Sequence, residues 1–438
     1  MDPQPERAST SISLSAYLRL VRHNHNFRRL WLAQIVSELG DWFYTLAIYS
    51  LLLQLTGRAS SVALALVLQV LPQTLIGPAA GVINDRVRRK RVMITADLVR
   101  MVIVFAMLLV RSRSTVWLVY PLLLFETLMA AFFEPARTAV LPNITAREDV
   151  LVANTLSSAT WSVNLLIGAS VGGVVGALLG RDAVFMLNAM SFLMSAVLIG
   201  RMSFAEPHAQ ASAPLRWRDA IDLSPVVEGM RYVRRDHRLL AAVFAKAGEF
   251  MIGPSWVLFT VMGHDYFHVR LRGVDPQRGA ILGMSLLLGA RGIGAIVGPL
   301  FSARWAGQSD QRLRLGILFG YLTIGVGYFG LGMSPNVWVA CLWIILAHCG
   351  GSTVWVFSTT LLQFNTEDRF RGRVFSTDLG FSMLTIAIGA YVCGIFLDRG
   401  VSARVVASAT GLIMIFPALL WAWAMRSGKP TAVSAEVS

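Results

Sequence analysis

Three carboxylates, Glu38, Asp41 and Glu126, lie inside long apolar runs of this sequence and have no basic residue at helical spacing within their own runs. A charged side chain at the centre of an apolar helix costs about 2.5–3.5 kcal/mol on membrane-insertion scales. Desolvation disfavours the charged form of a lone carboxylate, which can then take up and release protons. The chemistry open to these residues is therefore proton transfer or the binding of a cationic molecule.

Two acid–base pairs occur in other apolar runs, Asp97 with Arg100 and Lys246 with Glu249, each three residues apart. At that spacing two side chains share a helix face, so each pair can neutralise itself as a structural ion pair. Arg291 has no partner within a turn and requires one from another segment. We expect Asp97–Arg100 to be structural, and we group Glu249 and Arg291 with the three carboxylates as candidates for proton coupling or substrate binding.

The remaining reactive side chains predict no metal or cofactor site. His348 lies in an apolar run, and a packed, hydrogen-bonded histidine is the favoured interpretation. Cys341, Cys349 and Cys393 also lie in apolar runs, without metal-ligand or CxxC spacing, which favours a packing role. The sequence has no Walker A motif for ATP and no motif of a membrane enzyme.

These residues belong to a chain whose composition is typical of membrane proteins. Of 438 residues, 55% are hydrophobic and 15% are charged, and the mean hydropathy is +0.59, whereas soluble domains average about a quarter charged residues. About 20 apolar residues span a bilayer as a helix. The sequence predicts twelve spans, at 30–56, 59–83, 92–111, 115–136, 151–180, 181–201, 239–262, 279–304, 314–333, 336–363, 376–398 and 403–425.

The distribution of basic residues predicts the orientation of these spans. If both termini lie on one side, 26 of the 39 Lys and Arg residues fall on that side and nine on the other. Short basic loops remain cytoplasmic, so we expect both termini in the cytoplasm of a bacterial cell whose plasma membrane the chain crosses. The same distribution explains the net charge of +14 without nucleic acid as a partner.

The spans divide into two halves of six, joined by a long polar segment. The predicted organisation is a cytoplasmic segment 1–29, a first bundle 30–201, a linker 202–238, a second bundle 239–425 and a tail 426–438. The later part of the linker is predicted to be an amphipathic helix with Val227, Met230 and Val233 on its apolar side. Six plus six spans fit two parallel bundles related by an axis along the membrane normal.

The stretch "GVINDRVRRKR" at 81–91 follows the second span directly and resembles the signature loop of the major facilitator superfamily. Arg88 stands where the family's second Gly is usual. The resemblance implies a latch that forms in one of two bundle arrangements, with Glu134 or Asp378 as acidic partners; the alternative is an anchor that contacts anionic lipid. The matching residues are Gly81, Asp85, Arg86, Arg89 and Lys90.

Other stretches, including "NFRRLWLAQIVSELGDWFYTLAI" and "FFEPARTAVLPNI", resemble the branch that contains enterobactin exporters and macrolide-efflux proteins. The resemblance implies an all-helical fold and a monomeric, proton-driven exporter of a small amphipathic molecule; uptake, lipid flipping and a non-transporting receptor or scaffold are the alternatives. Two positions depart from the pattern of proton-linked members. Ala169 replaces a proline in the "GASVGGVVGALLG" run, and Leu123 replaces an arginine in the fourth span.

Overall fold

The computed structural model describes residues 14–146, 149–206, 230–234, 237–247, 250–267, 269, 276–307, 309–366 and 371–427. This part of the chain forms helices and no strands. In order, the helices are α1 (Leu14–His23), α2 (His25–Thr56), α3 (Ala59–Arg86), α4 (Arg89–Ala106), α5 (Val119–Ile144), α6 (Val150–Leu179), α7 (Arg181–Gly200), α8 (His237–Ala247), α9 (Ile252–Asp265), α10 (Pro276–Ala306), α11 (Asp310–Gly332), α12 (Val337–Asn365), α13 (Arg371–Asp398), α14 (Ala403–Ile413) and α15 (Ile415–Ser427).

Ten helical segments in the described ranges are long and apolar enough to cross a membrane. Two of the predicted spans are not among them. The first, 30–56, lies within α2, whose polar residues Gln34, Glu38 and Asp41 lower its hydropathy. The second, 239–262, is covered by α8 and α9, and residues 248–249 between them lie outside the described ranges.

Polar caps begin several of these helices. The side chain of Asn24 accepts a hydrogen bond from the Phe27 amide at the start of α2, and that of Asn336 accepts bonds from two amides at the start of α12. Gly57 ends α2 with φ +64°, a left-handed conformation that glycine adopts at little cost. Such caps satisfy the free amide and carbonyl groups at helix ends, which explains why the spans begin and end at these residues.

Helix ends gather at two faces of the molecule. At the face that we call the basic face, Asn24 Nδ2 donates to Ile144 O at 2.6 Å and Asn26 Nδ2 donates to Ser203 O at 2.6 Å. At the opposite face, Arg111 forms an ion pair with Asp182 at 3.0 Å. The basic face includes residues 84–91, 144–146, 149 and 201–206, and the opposite face includes 56–60, 107–118, 179–182, 333–336 and 398–403.

Helices α2–α7 pack mainly against one another, as do α8–α15. The most extensive contacts between these halves are α3 with α13 and α6 with α10, and α9 and α10 also touch α2. Two glycines of the "GASVGGVVGALLG" run on α6 lie against α2. A Cβ on Gly168 would lie 2.7 Å from Trp42 Cβ, and one on Gly172 would lie 2.7 Å from Phe43 Cδ1. Small residues therefore allow α6 to approach α2 closely.

The predicted linker helix lies largely outside the described residues, which omit 207–229 and 235–236. Residues 230–233 are helical, and Val233 is buried. Around the bundles, large apolar side chains are exposed on the helices, as expected of surfaces that face lipid tails. Examples are Leu178, Phe319, Val326, Trp338, Phe416 and Trp423.

Candidate functional site

Arg100 on α4 is the centre of a charge cluster inside the first half. Its Nη2 lies 2.5 Å from Asp97 Oδ1, and its Nη1 lies 3.9 Å from Asp41 Oδ2 on α2. Arg100 also interacts electrostatically with Glu126 on α5. Asp97 Oδ2 in turn accepts a hydrogen bond from Ser195 Oγ on α7 at 2.6 Å. Three carboxylates therefore share one guanidinium, and the predicted Asp97–Arg100 pair is confirmed.

Aromatic rings enclose the Arg100 guanidinium. Its Cζ lies 4.7 Å from the ring centre of Phe133 and 4.2 Å from that of Phe192. Cation–π contacts of this kind offset part of the desolvation of a buried cation. Leu123, which replaces the arginine expected on the fourth span, is fully buried, and Arg100 on the neighbouring helix supplies a buried cation to α2 and α5.

Glu38 is held by amide donors rather than by a cation. Gln34 Nε2 donates to Glu38 Oε1 and Asn164 Nδ2 on α6 donates to Glu38 Oε2, both at 2.8 Å. Asp41 lies one turn along α2 and has fewer hydrogen bonds. Within the described residues, its buried Oδ1 has no hydrogen-bond partner, and neither has the Tyr44 hydroxyl. Asp41 therefore retains an acceptor for a proton or a donor group.

Glu38 and Asp41 lie on the stripe of α2 that faces the second half. Glu38, Asp41, Trp42 and Thr45 are each partly exposed and follow the spacing of one helix face. Trp42 stacks on Trp256 of α9, with ring centres 5.7 Å apart and planes inclined by 8°. Because this contact joins the two halves, the stripe borders the space between them.

Arg291 on α10 lies on the other side of the same aromatic contact. Its Cζ is 4.4 Å from the ring centre of Trp256, and its Nη1 donates to Ser255 Oγ at 3.4 Å. It makes no ion pair with any carboxylate of the described residues, and Glu249 lies outside them. The partner expected from another helix is thus an aromatic ring and a hydroxyl, which leaves the charge of Arg291 without an acidic counter-ion in these ranges.

His348 packs as expected. It is buried and lies 3.3 Å, Nε2 to hydroxyl, from Tyr328, with Phe259 edge-on to its ring at 6.1 Å. Cys341, Cys349 and Cys393 are free thiols. These contacts agree with packing roles for all four residues.

The second half contains a buried ion pair that the sequence did not predict correctly. Lys246 Nζ on α8 lies 2.5 Å from Asp378 Oδ2 on α13 and 4.6 Å from the ring centre of Trp355. The expected pairing of Lys246 with Glu249 is therefore wrong for Lys246, since its partner is a residue 132 positions away. Asp378 Oδ1 has no hydrogen-bond partner in the described part of the chain.

The candidate latch residues have partners within their own halves in this conformation. Arg89 donates to the carbonyl oxygens of Asn84 at 3.3 Å and Ala139 at 2.9 Å, and Lys90 Nζ donates to Met202 O at 2.7 Å. Arg86 is the last residue of α3. The side-chain surroundings of Gly81 and Asp85, also on α3, lie outside the described part of the chain.

Both expected acidic partners of the latch are likewise engaged elsewhere. Glu134 pairs with Arg137 at 2.7 Å, and Asp378 pairs with Lys246. In this conformation neither carboxylate pairs with the basic cluster at 86–91, because each has a cation of its own half within reach.

At the opposite face the halves are joined by a helix cap. Asp398, the last residue of α13, accepts hydrogen bonds from the amides of Ala59 at 2.6 Å and Ser60 at 3.3 Å. The side chain of Arg58 at the N-cap of α3 makes no capping bond, so the second half caps a helix of the first. A Cβ on Gly394 would lie 2.8 Å from Ser60 Cα, which shows how closely α13 approaches α3 here.

Sequence reasoning missed three residues of this arrangement: Trp256, Asn164 and Asp398. Each acts through a contact with a distant helix, which spacing along the chain does not reveal. One signal was readable, because Gln34 and Glu38 are four residues apart inside an apolar run and an amide at that spacing can donate to a carboxylate.

Comparison with known proteins gives the family. Residues 18–436 match the family model described as transmembrane secretion effector. Macrolide efflux protein A of Streptococcus pyogenes is 26% identical over 407 residues, which is 89% of this chain and 94% of that protein. The putative bacilysin exporter BacE of Bacillus amyloliquefaciens is 25% identical over 344 residues, 77% of this chain and 80% of that protein.

Solved structures share the fold at low sequence identity. The nucleoside transporter NupG superposes with a TM-score of 0.71 at 10% identity, over 92% of this chain and all of that one. A bacterial homologue of the human lysosomal transporter Spinster gives 0.68 at 13% identity, over 96% of this chain. This family consists of transporters rather than enzymes, and the chain belongs to it: the transmembrane secretion effector family of major facilitator transporters.

Proposed function

We propose that this protein exports a small amphipathic molecule from a bacterial cell by alternating access, in exchange for protons. The observation that carries the proposal is the α2 stripe, where Glu38 and Asp41 border the space between the halves. Three carboxylates on one guanidinium leave an excess of negative charge once all are ionised, and burial opposes that state. A proton and a cationic group of the substrate would then compete for the same carboxylates.

The proposed architecture has twelve spans with both termini in the cytoplasm, which makes the basic face cytoplasmic. α2 supplies the first span despite its charges, and α8 with α9 supplies the seventh. Under this count, the second helix of each half contacts the fifth helix of the other, which is the exchange expected for bundles related by a two-fold axis along the membrane normal. The monomer would function surrounded by lipid.

The direction of transport is supported by relatives whose names describe macrolide efflux and bacilysin export. In the cycle proposed here, the Asp398 cap holds the outer face closed while substrate enters from the cytoplasm. The basic cluster of Arg86, Arg89 and Lys90, with Gly81 and Asp85, would hold the cytoplasmic face closed in the other conformation. Protons entering from outside would displace the substrate and reset the carrier.

The test is accumulation of a radiolabelled macrolide in everted membrane vesicles. We expect vesicles with the protein to concentrate the label when respiration acidifies their interior, and to lose it when a protonophore collapses the gradient. Vesicles from cells carrying the empty vector are the control. Accumulation that persists after the gradient is collapsed would exclude proton antiport, and a lack of accumulation would count against macrolide efflux.

A further inference from the structure

The space between the halves is bordered by opposite charges on its two sides. Asp41 lies on the α2 stripe, and 37% of its side chain is exposed. Its Oδ1 is buried and has no hydrogen-bond partner among the described residues. Arg291 is partly exposed on α10 of the other half and forms no ion pair with the described carboxylates. One side therefore offers a partly exposed carboxylate, and the other a cation that no described carboxylate neutralises.

An aromatic layer separates these two charges. Trp42 follows Asp41 in the chain and stacks on Trp256, and the Arg291 guanidinium lies over Trp256. Tyr49 meets Trp256 edge-on, with ring centres 6.0 Å apart. Flat aromatic surfaces bind apolar and aromatic bodies, so the layer suits the middle of a molecule whose two ends are charged.

The charges of Asp41 and Arg291 are neutralised to different extents by their neighbours, and this affects what each residue can bind. Arg100, the cation nearest to Asp41, lies 3.9 Å away and is bonded to Asp97 at 2.5 Å. The contacts of Arg291 within the described residues are the Trp256 ring and the Ser255 hydroxyl, and no carboxylate is among them. A buried charge that lacks a partner is costly, so an anionic group that reached Arg291 would remove that cost, and a cationic group would do the same at Asp41.

We propose that the preferred substrates are zwitterions with an apolar or aromatic body, bound with the anionic group at Arg291 and the cationic group at Asp41. This inference rests on the proposed function and specifies its substrate class. It assigns specificity to two residues on different halves, so a ligand that carries both charges would bridge the halves through the Trp42–Trp256 layer.

The test is isothermal titration of the purified protein in detergent with three matched probes: phenylalanyl-phenylalanine, its N-acetyl derivative and its methyl ester. The first carries both charges, the second lacks the cation and the third lacks the anion. We expect the zwitterion to bind about tenfold more tightly than either derivative, a difference equivalent to one charged contact. Equal affinity for the three probes, or no binding of the zwitterion, would overturn the inference.

Variants assign each charge to its residue. Arg291→Gln should abolish the discrimination against the methyl ester and retain that against the N-acetyl probe, whereas Asp41→Asn should do the reverse. Arg291→Lys should keep the wild-type order. Because each comparison is made within one variant, a general loss of folded protein cannot imitate the pattern, and equal weakening of all three probes by both substitutions would refute it. Macrolide accumulation without zwitterion binding would refute this inference and leave the proposed transport function intact.

Discussion

At the scale of single residues, the first half concentrates its chemistry on one arginine. Asp41, Asp97 and Glu126 interact with Arg100, but only Asp97 is within hydrogen-bond distance of it. Asp97 is also bonded by Ser195, so it is the carboxylate best stabilised in its charged form. The negative charges of Asp41 and Glu126 are stabilised less strongly. Because of this difference, one cluster could contain a permanently charged carboxylate, Asp97, and carboxylates that take up and release protons.

The Glu38→Gln, Asp41→Asn double variant should lose gradient-driven accumulation and retain downhill exchange of substrate. Both substitutions keep the shape of the side chain and remove the group that takes up a proton. Accumulation and counterflow in the same vesicles measure the two activities. Glu126→Gln, which leaves the stripe intact, is the comparison and should impair coupling less. Accumulation at the wild-type level in the double variant would show that protons do not pass through this stripe.

The Lys246–Asp378 pair makes a separate prediction about stability. Lys246→Met leaves a buried carboxylate without its cation, which costs about 3–5 kcal/mol in comparable buried pairs. We expect a clear fall in the thermal unfolding midpoint in detergent, and partial recovery in the Lys246→Met, Asp378→Leu double variant. Asp310→Asn removes an exposed ion pair with Arg314 and is the control, since such pairs contribute about 0–1 kcal/mol. Wild-type melting of Lys246→Met would show that the pair does not stabilise the fold.

At the scale of helices, the sequence predicted where most helices begin and end. It did not predict which side chains on different helices contact one another. The span predicted at 181–201 is the helix Arg181–Gly200, and the spans predicted at 314–333 and 336–363 meet where α11 ends at Gly332 and α12 begins at Val337. Apolar length and capping residues decide such boundaries locally. The contact of Trp42 with Trp256 depends on how each helix is rotated in the bundle, which hydropathy does not encode.

The cap that Asp398 places on α3 should hold the two halves together at the opposite face. Asp398→Asn removes the negative charge from the N-terminus of α3, which we expect to cost about 1 kcal/mol. That cost would shift the balance of conformations about fivefold away from the one closed at this face. The distance between the halves at this face is measured by pulsed electron paramagnetic resonance. Spin labels are attached to cysteines introduced at Arg113 and Met333, one in each half, after the three native cysteines have been replaced. A longer mean distance is expected.

The matched control for that measurement is Asp310→Asn, the same substitution at the N-terminus of α11 on the basic face. It should leave the distance distribution unchanged. If Asp398→Asn also leaves it unchanged, the two hydrogen bonds to α3 do not set the equilibrium between conformations.

The signature loop makes the complementary prediction for the basic face. Asp85→Asn should abolish most transport while expression and membrane insertion remain near wild type, because the substitution weakens a contact of one conformation only. Accumulation in vesicles, normalised to the amount of protein in the membrane, measures the effect. Arg88→Gly, which restores the family's usual glycine, is a useful comparison and should retain activity. Normal transport by Asp85→Asn would favour simple anchoring of the loop to anionic lipid.

At the scale of the whole molecule, the distribution of basic residues and the contacts between the halves distinguish the same two faces. The halves touch most extensively through α3 with α13 and α6 with α10. The polar bonds described between them lie at the face that is poor in basic residues. The described polar bonds therefore hold the halves together at the face opposite the basic one. If the basic face is cytoplasmic, these bonds would close the outer side while an exporter loads substrate from inside the cell.

The orientation itself can be tested directly. Of the 39 Lys and Arg residues, 26 fall on the side of the termini and nine on the other, and short loops rich in basic residues resist translocation. A green fluorescent protein fused after Lys429 should therefore fluoresce, and alkaline phosphatase inserted near Gly273 should be active, because the first reporter requires the cytoplasm and the second the exterior. Exchanging the reporters between the two sites should silence both. The reverse pattern would place the basic face outside, and the Asp398 cap would then close the cytoplasmic side, where an exported substrate must enter.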